Sequence, residues 1–330
     1  MSVSNGRDDE GARTRLHALR LRAALYARIR GFFAGQGVLE VETPMLSAAG
    51  NTDPNIDSFS TVFSGHVDAG ARTRWLRTSP EFPLTRLLAA GIGDCYELGR
   101  VFRNGEAGGR HNPEFTMLEW YRVGWDHHRL ADETVELVQQ ALVLVDREAS
   151  VARISYRDLF LHALGLDPML APDDALRAAL GDVVIDPEGL TRDDWLDLLM
   201  THRIQPGFPP NQLLVLHDYP ASQCMLARIV QRGDVAVAER FEVFLGPLEL
   251  ANGYHELVDT HEQHARFQRD HAIRSERGAV LPQIDDALLA GLASGMPASA
   301  GVALGVDRLL MAMLGTGRIA DVLTFDFANA

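Results

Sequence analysis

Gly99 to Arg122 read GRVFRNGEAGGRHNPEFTMLEWYR, two runs of alternating apolar residues around a glycine-rich gap that carries Arg103, Arg110 and His111. Alternation of period two predicts a β-hairpin, with Phe115, Met117, Glu119 and Tyr121 on one face of the return strand and Glu97, Val101 and Arg103 on one face of the outgoing strand. A planar guanidinium fixed on a strand makes a bidentate phosphate clamp, Arg110 and His111 add donors at the loop, and a neighbouring phenylalanine can stack on a base. Such a face suits a nucleotide. A solvated loop with a few surface ion pairs and a core phenylalanine fits the same residues, and on chemistry alone the two readings stand level.

Composition narrows the partners. The chain has 330 residues, 46% of them hydrophobic, enough to bury a large core. A formal net charge of -14 leaves no broad basic face for a sugar-phosphate backbone, so a small molecule or a protein is the expected substrate and no tRNA partner is expected. Cys95 and Cys224 stand far apart, giving neither a disulfide framework nor a zinc ligand set, which suits a reducing cytoplasm. No apolar run of about 18 residues and no signal-like h-region is visible, so no membrane is expected. Residues 1–15 are polar and are expected to form a disordered tail.

Outward from the hairpin, helical spacing begins at Leu16 and closes at Gly35 to Gly37, before a strand ending in Pro44. Arg72 to Arg77 read as a strand, TSPEFPLTRLLAAG as a helix opened by a Thr/Ser cap, and DHHRLADETVELVQQALVLV as an amphipathic helix. Tyr156 to Gly207 is a helical, Asp/Pro-punctuated stretch with the look of an insertion. QLLVLHDYP and VAERFEVFLGPLELANGYHEL read as strands, HEQHARFQRDHAIRSERG as a helix, GVALG as a strand and VDRLLMAMLG as a helix. These predict an α+β fold with a mainly antiparallel β-sheet flanked by helices, and one domain over residues 16–330.

Two further constellations carry chemistry. In FEVFLGPLELANGYHEL, Gly246-Pro247 can turn two short strands; if Leu245 faces Leu248, Glu242 and Glu249 become diagonal neighbours roughly 7 to 8 Å apart. Their hard oxygens suit Mg²⁺, although a solvent-facing glutamate pair on an edge hairpin reads equally well. Glu256, just past Asn252-Gly253, can be turned toward the same place. In GVALGVDRLLMAML, Gly305 permits close backbone approach and Arg308 falls in the first turn of a helix, a combination that attracts phosphate. Neither a P-loop nor a Rossmann fingerprint is present.

Taken together and in this order, VETPML with Pro44, the hairpin from GRVFRN to RHNPEFTMLEWYR, and GVALGVDR resemble the three signature motifs of class II aminoacyl-tRNA synthetases. RHNPEFTMLE and ELANGYHEL resemble the lysine branch. Anticodon-gripping OB-folds precede the catalytic domain in lysyl-tRNA synthetases, whereas here the first motif comes early, so the chain is similar to the stand-alone elongation factor P lysine ligases, which attach (R)-β-lysine to a lysine of that factor. DYPASQ at Asp218 to Gln223 is similar to those ligases, and Ala303 stands where lysyl-tRNA synthetases usually have glycine, a methyl that would reshape the amino-acid pocket floor.

The resemblance implies ATP and Mg²⁺ as cofactors, elongation factor P as protein substrate, (R)-β-lysine or lysine as amino acid, and a homodimer in which the Leu16 helix and the Pro44 strand are buried. It assigns Arg103 to the α-phosphate, His111 and Arg308 to the β- and γ-phosphates, and Phe115 to the adenine. Asn104 and backbone around Asn112 would hold the base, with Glu249, Leu250 and Gly305 also at the nucleotide and Glu242 with Glu249 on Mg²⁺. Ser79, Pro80 and Glu81 would meet the substrate amino group near its carboxylate, and Glu119, Tyr121, Asn252, Glu256 and Ala303 would complete the amino-acid pocket. One position departs: the family reads F-R-N-E, whereas Gly105 follows Asn104 here and Glu106 is displaced by one. Either Glu106 reaches in through the loop or ATP is held more loosely. The competing readings are a truncated lysyl-tRNA synthetase-like enzyme charging a tRNA, and a non-catalytic lysine-sensing paralogue.

Overall fold

A computed structural model of the chain describes residues 5–330, with side chains from Arg15 onward. The tail expected over residues 1–15 falls largely outside that description, although the helix carrying Leu16 is assigned from Asn5. In chain order the elements are α1 (Asn5–Ala34), β1 (Leu39–Glu40), β2 (Leu46–Ser47), β3 (Ser60–Val62), β4 (Thr73–Leu76), α2 (Glu81–Ala89), β5 (Cys95–Phe102) and β6 (Glu114–Val123). Next come α3 (His127–Val143), β7 (Ser150–Ser155), α4 (Tyr156–Leu164), α5 (Asp173–Ala179), α6 (Arg192–Leu199), β8 (Gln212–Pro220), β9 (Ile229–Arg232), β10 (Val235–Leu245) and β11 (Leu248–His255). The chain closes with α7 (Thr260–Glu276), α8 (Asp286–Ala293), β12 (Ser299–Gly305) and α9 (Val306–Leu314). No described helix is long and apolar enough to cross a membrane.

The chain divides into two compact units. Residues 1–124, 258–299 and 303–330 form the first, and residues 125–257 with 300–302 the second, so β12 contributes to both.

In the first unit the quoted hairpin is β5 and β6, antiparallel in the register Glu97 to Glu119 and Val101 to Phe115. β1 adds to β5 in parallel. The apolar spacing of α1 puts Ala18, Leu21, Leu25, Ile29, Phe32 and Phe33 on one buried stripe. Phe33 stacks on Tyr96 of β5 at 4.4 Å between ring centroids and meets Trp120 of β6 edge-on at 5.4 Å. A second cluster packs Leu84 and Leu88 of α2 with Cys95, Tyr121, Leu292 and Met296. β4 sits between β2 and β3 in a small separate sheet.

In the second unit β10 pairs antiparallel with β11, β8 and β9, and β7 lies parallel to β8. The stretch Tyr156 to Gly207 is a cover for this sheet. Tyr156, Phe160, Leu176, Trp195, Leu196 and Leu199 form one buried cluster with Leu214, Leu216 and Tyr219 of β8 and Phe244 of β10. Strands β2, β3, β7 and β9 go beyond what the sequence pattern predicts, being short or at most half-buried and without clean alternation.

Candidate active site

Two groups of side chains, one in each unit, hold the residues singled out from the sequence. In the first unit an acidic pair dominates. Glu119 on β6 is 2% exposed and its carboxylate accepts hydrogen bonds from Ser79 Oγ (2.7 Å) and Tyr121 Oη (2.8 Å). Pro80 is the N-cap of α2 and offers no side chain, so the anticipated Ser cap acts one residue earlier: Ser79 Oγ accepts the Glu81 N–H at 2.9 Å. That bond fixes Glu81 at the first position of the helix. Burial pushes the Glu81 carboxyl well above the usual carboxylate range, and the charges of Glu119 and Asp53 add to it. Burial likewise raises Glu119, against the hydrogen bonds from Ser79 and Tyr121. A pocket that keeps two carboxyls costly to ionise is completed by a cation, and a substrate ammonium supplies one.

The floor beneath this pair is itself ionic. Arg77 donates to Glu97 Oε1 (2.6 Å), Thr43 Oγ1 (2.8 Å) and the carbonyls of Thr43 and Arg100, and Thr43 Oγ1 donates to Glu97 Oε2 (2.6 Å). The guanidinium fits because residue 99 is glycine: a Cβ there would lie 2.6 Å from Arg77 Nη2. Thus the Thr43-Pro44 corner, the strand before TSPE and β5 are locked together. Arg77 and Glu97 were not assigned a role from the sequence, yet an arginine directly before TSPE and a glutamate opposite Glu119 were the available signals.

The loop between β5 and β6 carries the basic set. Arg103 lies 5.2 Å from the Phe115 ring centroid, and its Nε is buried without a hydrogen-bond partner. Gly105 adopts φ +83 with open space around the position a Cβ would take, and this left-handed turn brings Glu106 back to 3.6 Å from Arg103. The displaced carboxylate therefore reaches the arginine. Asn104 keeps an exposed side chain while its N–H donates to Asp57 O at 2.8 Å. Buried Arg274 from α7 gathers the carbonyls of Thr52, Asp53 and Ile56 and the Asp57 carboxylate, which holds that supporting loop in place.

Asn112 is buried, donating to Glu114 O (2.7 Å) and accepting from the Phe327 N–H (2.8 Å). His111 Nε2 and Arg308 Nη2 lie 2.8 Å apart. Arg308 is aimed by its neighbour: Asp307, 1% exposed, accepts from Arg22 of α1 and from the Thr116 N–H of β6 (2.7 Å). Gly305 is the N-cap of α9, so the motif places a helix N-terminus and an arginine on one turn. Ala303 on β12 is half-buried.

In the second unit Gly246-Pro247 turns β10 into β11 with Leu245 opposite Leu248, the anticipated register. Glu249 faces Phe244 and Glu242 faces Asn252, with Leu250 left as an extra, buried residue at an irregularity beside Val243 and Phe244. Glu242 is pushed up by burial first, pulled back by Arg240 and raised further by Glu249, so the two glutamates sense one another. Two hard carboxylates close enough to repel are a donor set that fits Mg²⁺. Arg240, which sequence reading passed over, donates to Glu242 and to Asn252 Oδ1 (3.2 Å) and lies 4.3 Å over the Tyr219 ring. It stands two residues before Glu242 on the same strand face, the signal that was available. Gln223 of DYPASQ accepts from Arg240 through its carbonyl (3.1 Å) and donates to Asp197 of α6 (2.8 Å). Glu256 is buried and bridges to Ala227 through its backbone.

The family model described as tRNA synthetases class II (D, K and N) matches residues 12–328. A protein of Vibrio cholerae named elongation factor P--(R)-beta-lysine ligase is 47% identical over 316 residues, covering 94% of this chain and 96% of that protein. Proteins of the same name from Mannheimia succiniciproducens (46% over 310 residues, 94% of each chain) and Vibrio vulnificus (46% over 319 residues, 96% and 97%) are similarly close.

Proposed function

The chain belongs to the class II tRNA synthetases of the D, K and N group, and from that premise we propose that it is an ATP-dependent ligase that activates (R)-β-lysine and transfers it to a lysine side chain of elongation factor P. The observation that carries the amino-acid assignment is the acidic pair of half-buried Glu81 and buried Glu119, two carboxyls held costly to ionise until an ammonium group enters. Residues 16–330 serve as one catalytic domain, acting in the cytoplasm.

Chemically, the substrate carboxylate attacks the α-phosphorus of ATP, forming the aminoacyl-adenylate and releasing pyrophosphate. Arg103 and Arg308 meet the negative charge that moves toward the leaving group, His111 adds a donor to the terminal phosphates, and Phe115 carries the adenine against Arg103, with Asn104 and the backbone around Asn112 fixing the base. Glu242 and Glu249 would hold Mg²⁺, beside Leu250, and the ion supplies charge neutralisation at the phosphates. Ser79, Pro80, Glu81 and Glu119 receive one amino group; Tyr121, Asn252 and Glu256 receive the other, and Ala303 shapes the floor against α-lysine. The ε-amine of the acceptor lysine then attacks the mixed anhydride, forming an amide and releasing AMP. No covalent intermediate on the enzyme is required.

A homodimer accompanies this reading. Leu39, Met45, Leu46 and Phe63, from the segment that carries the first motif, are exposed large apolar residues, which supports burial of this surface against a second copy. The deciding experiment incubates the enzyme with ATP, Mg²⁺, elongation factor P and either (R)-β-lysine or L-lysine, and reads intact protein mass. One lysyl increment on the factor, faster with the β isomer, is expected; label on tRNA with none on the factor would overturn the reading.

A further inference from the structure

Four imidazole- and carboxylate-bearing residues that the ligase reaction leaves unused meet in the second unit. His127 and His128 open α3, and His217 and Asp218 lie near the end of β8, directly where DYPASQ begins. His127 Nε2 is 3.1 Å from Asp218 Oδ1, and His217 Nδ1 is 3.2 Å from Asp218 Oδ2. The His127 and His128 rings are 4.0 Å apart between centroids, and His128 meets His217 edge-on at 4.9 Å. His127, His128 and Asp218 each offer a ligand atom, all within 4.8 Å of one another.

From this we propose that His127, His128 and Asp218 bind a divalent transition-metal ion of the Zn²⁺ class. Imidazole nitrogens with one carboxylate are the donor set such ions prefer over Mg²⁺, and ligands bonded at about 2.0 to 2.2 Å stand roughly 3.3 Å apart in a tetrahedron, close to the 3.1 Å between His127 Nε2 and Asp218 Oδ1. His128 is exposed at the surface, which leaves an entry path, while His127 is 1% exposed and held rigidly. Asp218 adopts φ +56, in the left-handed region that aspartate and asparagine enter more readily than other side-chain-bearing residues.

Charge decides between this grouping and the other one around His127. There, with Glu239 and His255, the carboxylate already accepts Arg228 (2.7 Å) and Arg232 (3.3 Å), so an added ion would meet two guanidinium groups. On the Asp218 side the opposing field is the N-terminus of α3, and it is offset by Asp218 itself and by Asp126, which accepts the Arg129 N–H at 2.8 Å. None of its ligands is one of the β10 and β11 glutamates assigned above to Mg²⁺.

The test uses the full chain stripped with a chelator and titrated with Co²⁺, whose intense visible d–d bands report four-coordinate binding, followed by displacement with Zn²⁺. One ion per chain is expected, with binding at least about tenfold weaker in His128→Ala and in Asp218→Asn, and unchanged in Glu242→Gln. Because asparagine tolerates the left-handed backbone, Asp218→Asn keeps its fold, which near-UV circular dichroism checks, and His128→Ala removes only an exposed ring. Absence of d–d bands, an unaltered dissociation constant in His128→Ala, or loss of binding in Glu242→Gln instead would each overturn the proposal.

Discussion

Glu119 spends both carboxylate oxygens on Ser79 and Tyr121, and with Glu81 beside it the pair carries a pH signature. Glu81 is pushed up to about 8, by burial first and then by Glu119 and Asp53. A carboxyl whose folded pKa is raised stabilises the empty enzyme below its unfolded pKa, and that contribution is lost as pH rises through the folded value. Bound ammonium reverses the preference. The KM for the amino acid should therefore rise by up to about tenfold per unit as pH falls below 8, while the KM for ATP stays flat, and Glu119→Gln should flatten the profile; pyrophosphate-exchange kinetics across pH measure this. Arg103→Ala should lower exchange by about 10² to 10³-fold without a change in melting temperature, and Arg103→Lys should recover only part, because a point charge lacks the planar fork. Arg103, Glu119 and the Leu245 to Leu248 register were readable because strand period and the hairpin turn fix them locally. Arg77 and Arg240 escaped, since their roles arise from packing against Gly99 and Tyr219, which come together only in the folded chain.

At the level of elements, β5 and α9 are each held by one buried ion pair. Gly99→Ala would push a methyl into Arg77 and should cost about 1 to 3 kcal/mol by chemical denaturation, with the amino-acid KM raised more than that of ATP because Glu97 backs Glu119. Asp307→Ala leaves Arg22 buried without its carboxylate and frees the Thr116 N–H, a loss of about 3 to 5 kcal/mol, and it should also weaken ATP by releasing the turn that aims Arg308. Helices α1, α3, α7 and α9 could be read from apolar spacing and caps. The Tyr156 to Gly207 stretch could not: its purpose lies in covering β8 and β10 with Trp195, Phe160 and Leu199, contacts that span the sequence.

On the scale of the whole molecule, the order of the motifs made the α+β class readable, whereas the division into two units was not. Unit membership follows from which segments pack on one another in the folded chain, and residues 258–299 return to the first unit only after residues 125–257 have built most of the second. Leu46→Glu, on the exposed apolar surface of the first motif, should convert a dimer to monomers in sedimentation analysis and reduce activity with it.

Phe327 hydrogen-bonds Asn112 across 215 residues, and the Ile319 N–H donates to Gly109 O in the same loop. The loop between β5 and β6 is thus tied down by a partner some 215 residues away in sequence. A closure of that span forms late in folding, after the strands on either side of the loop, because its loop entropy must be met before the bond can form.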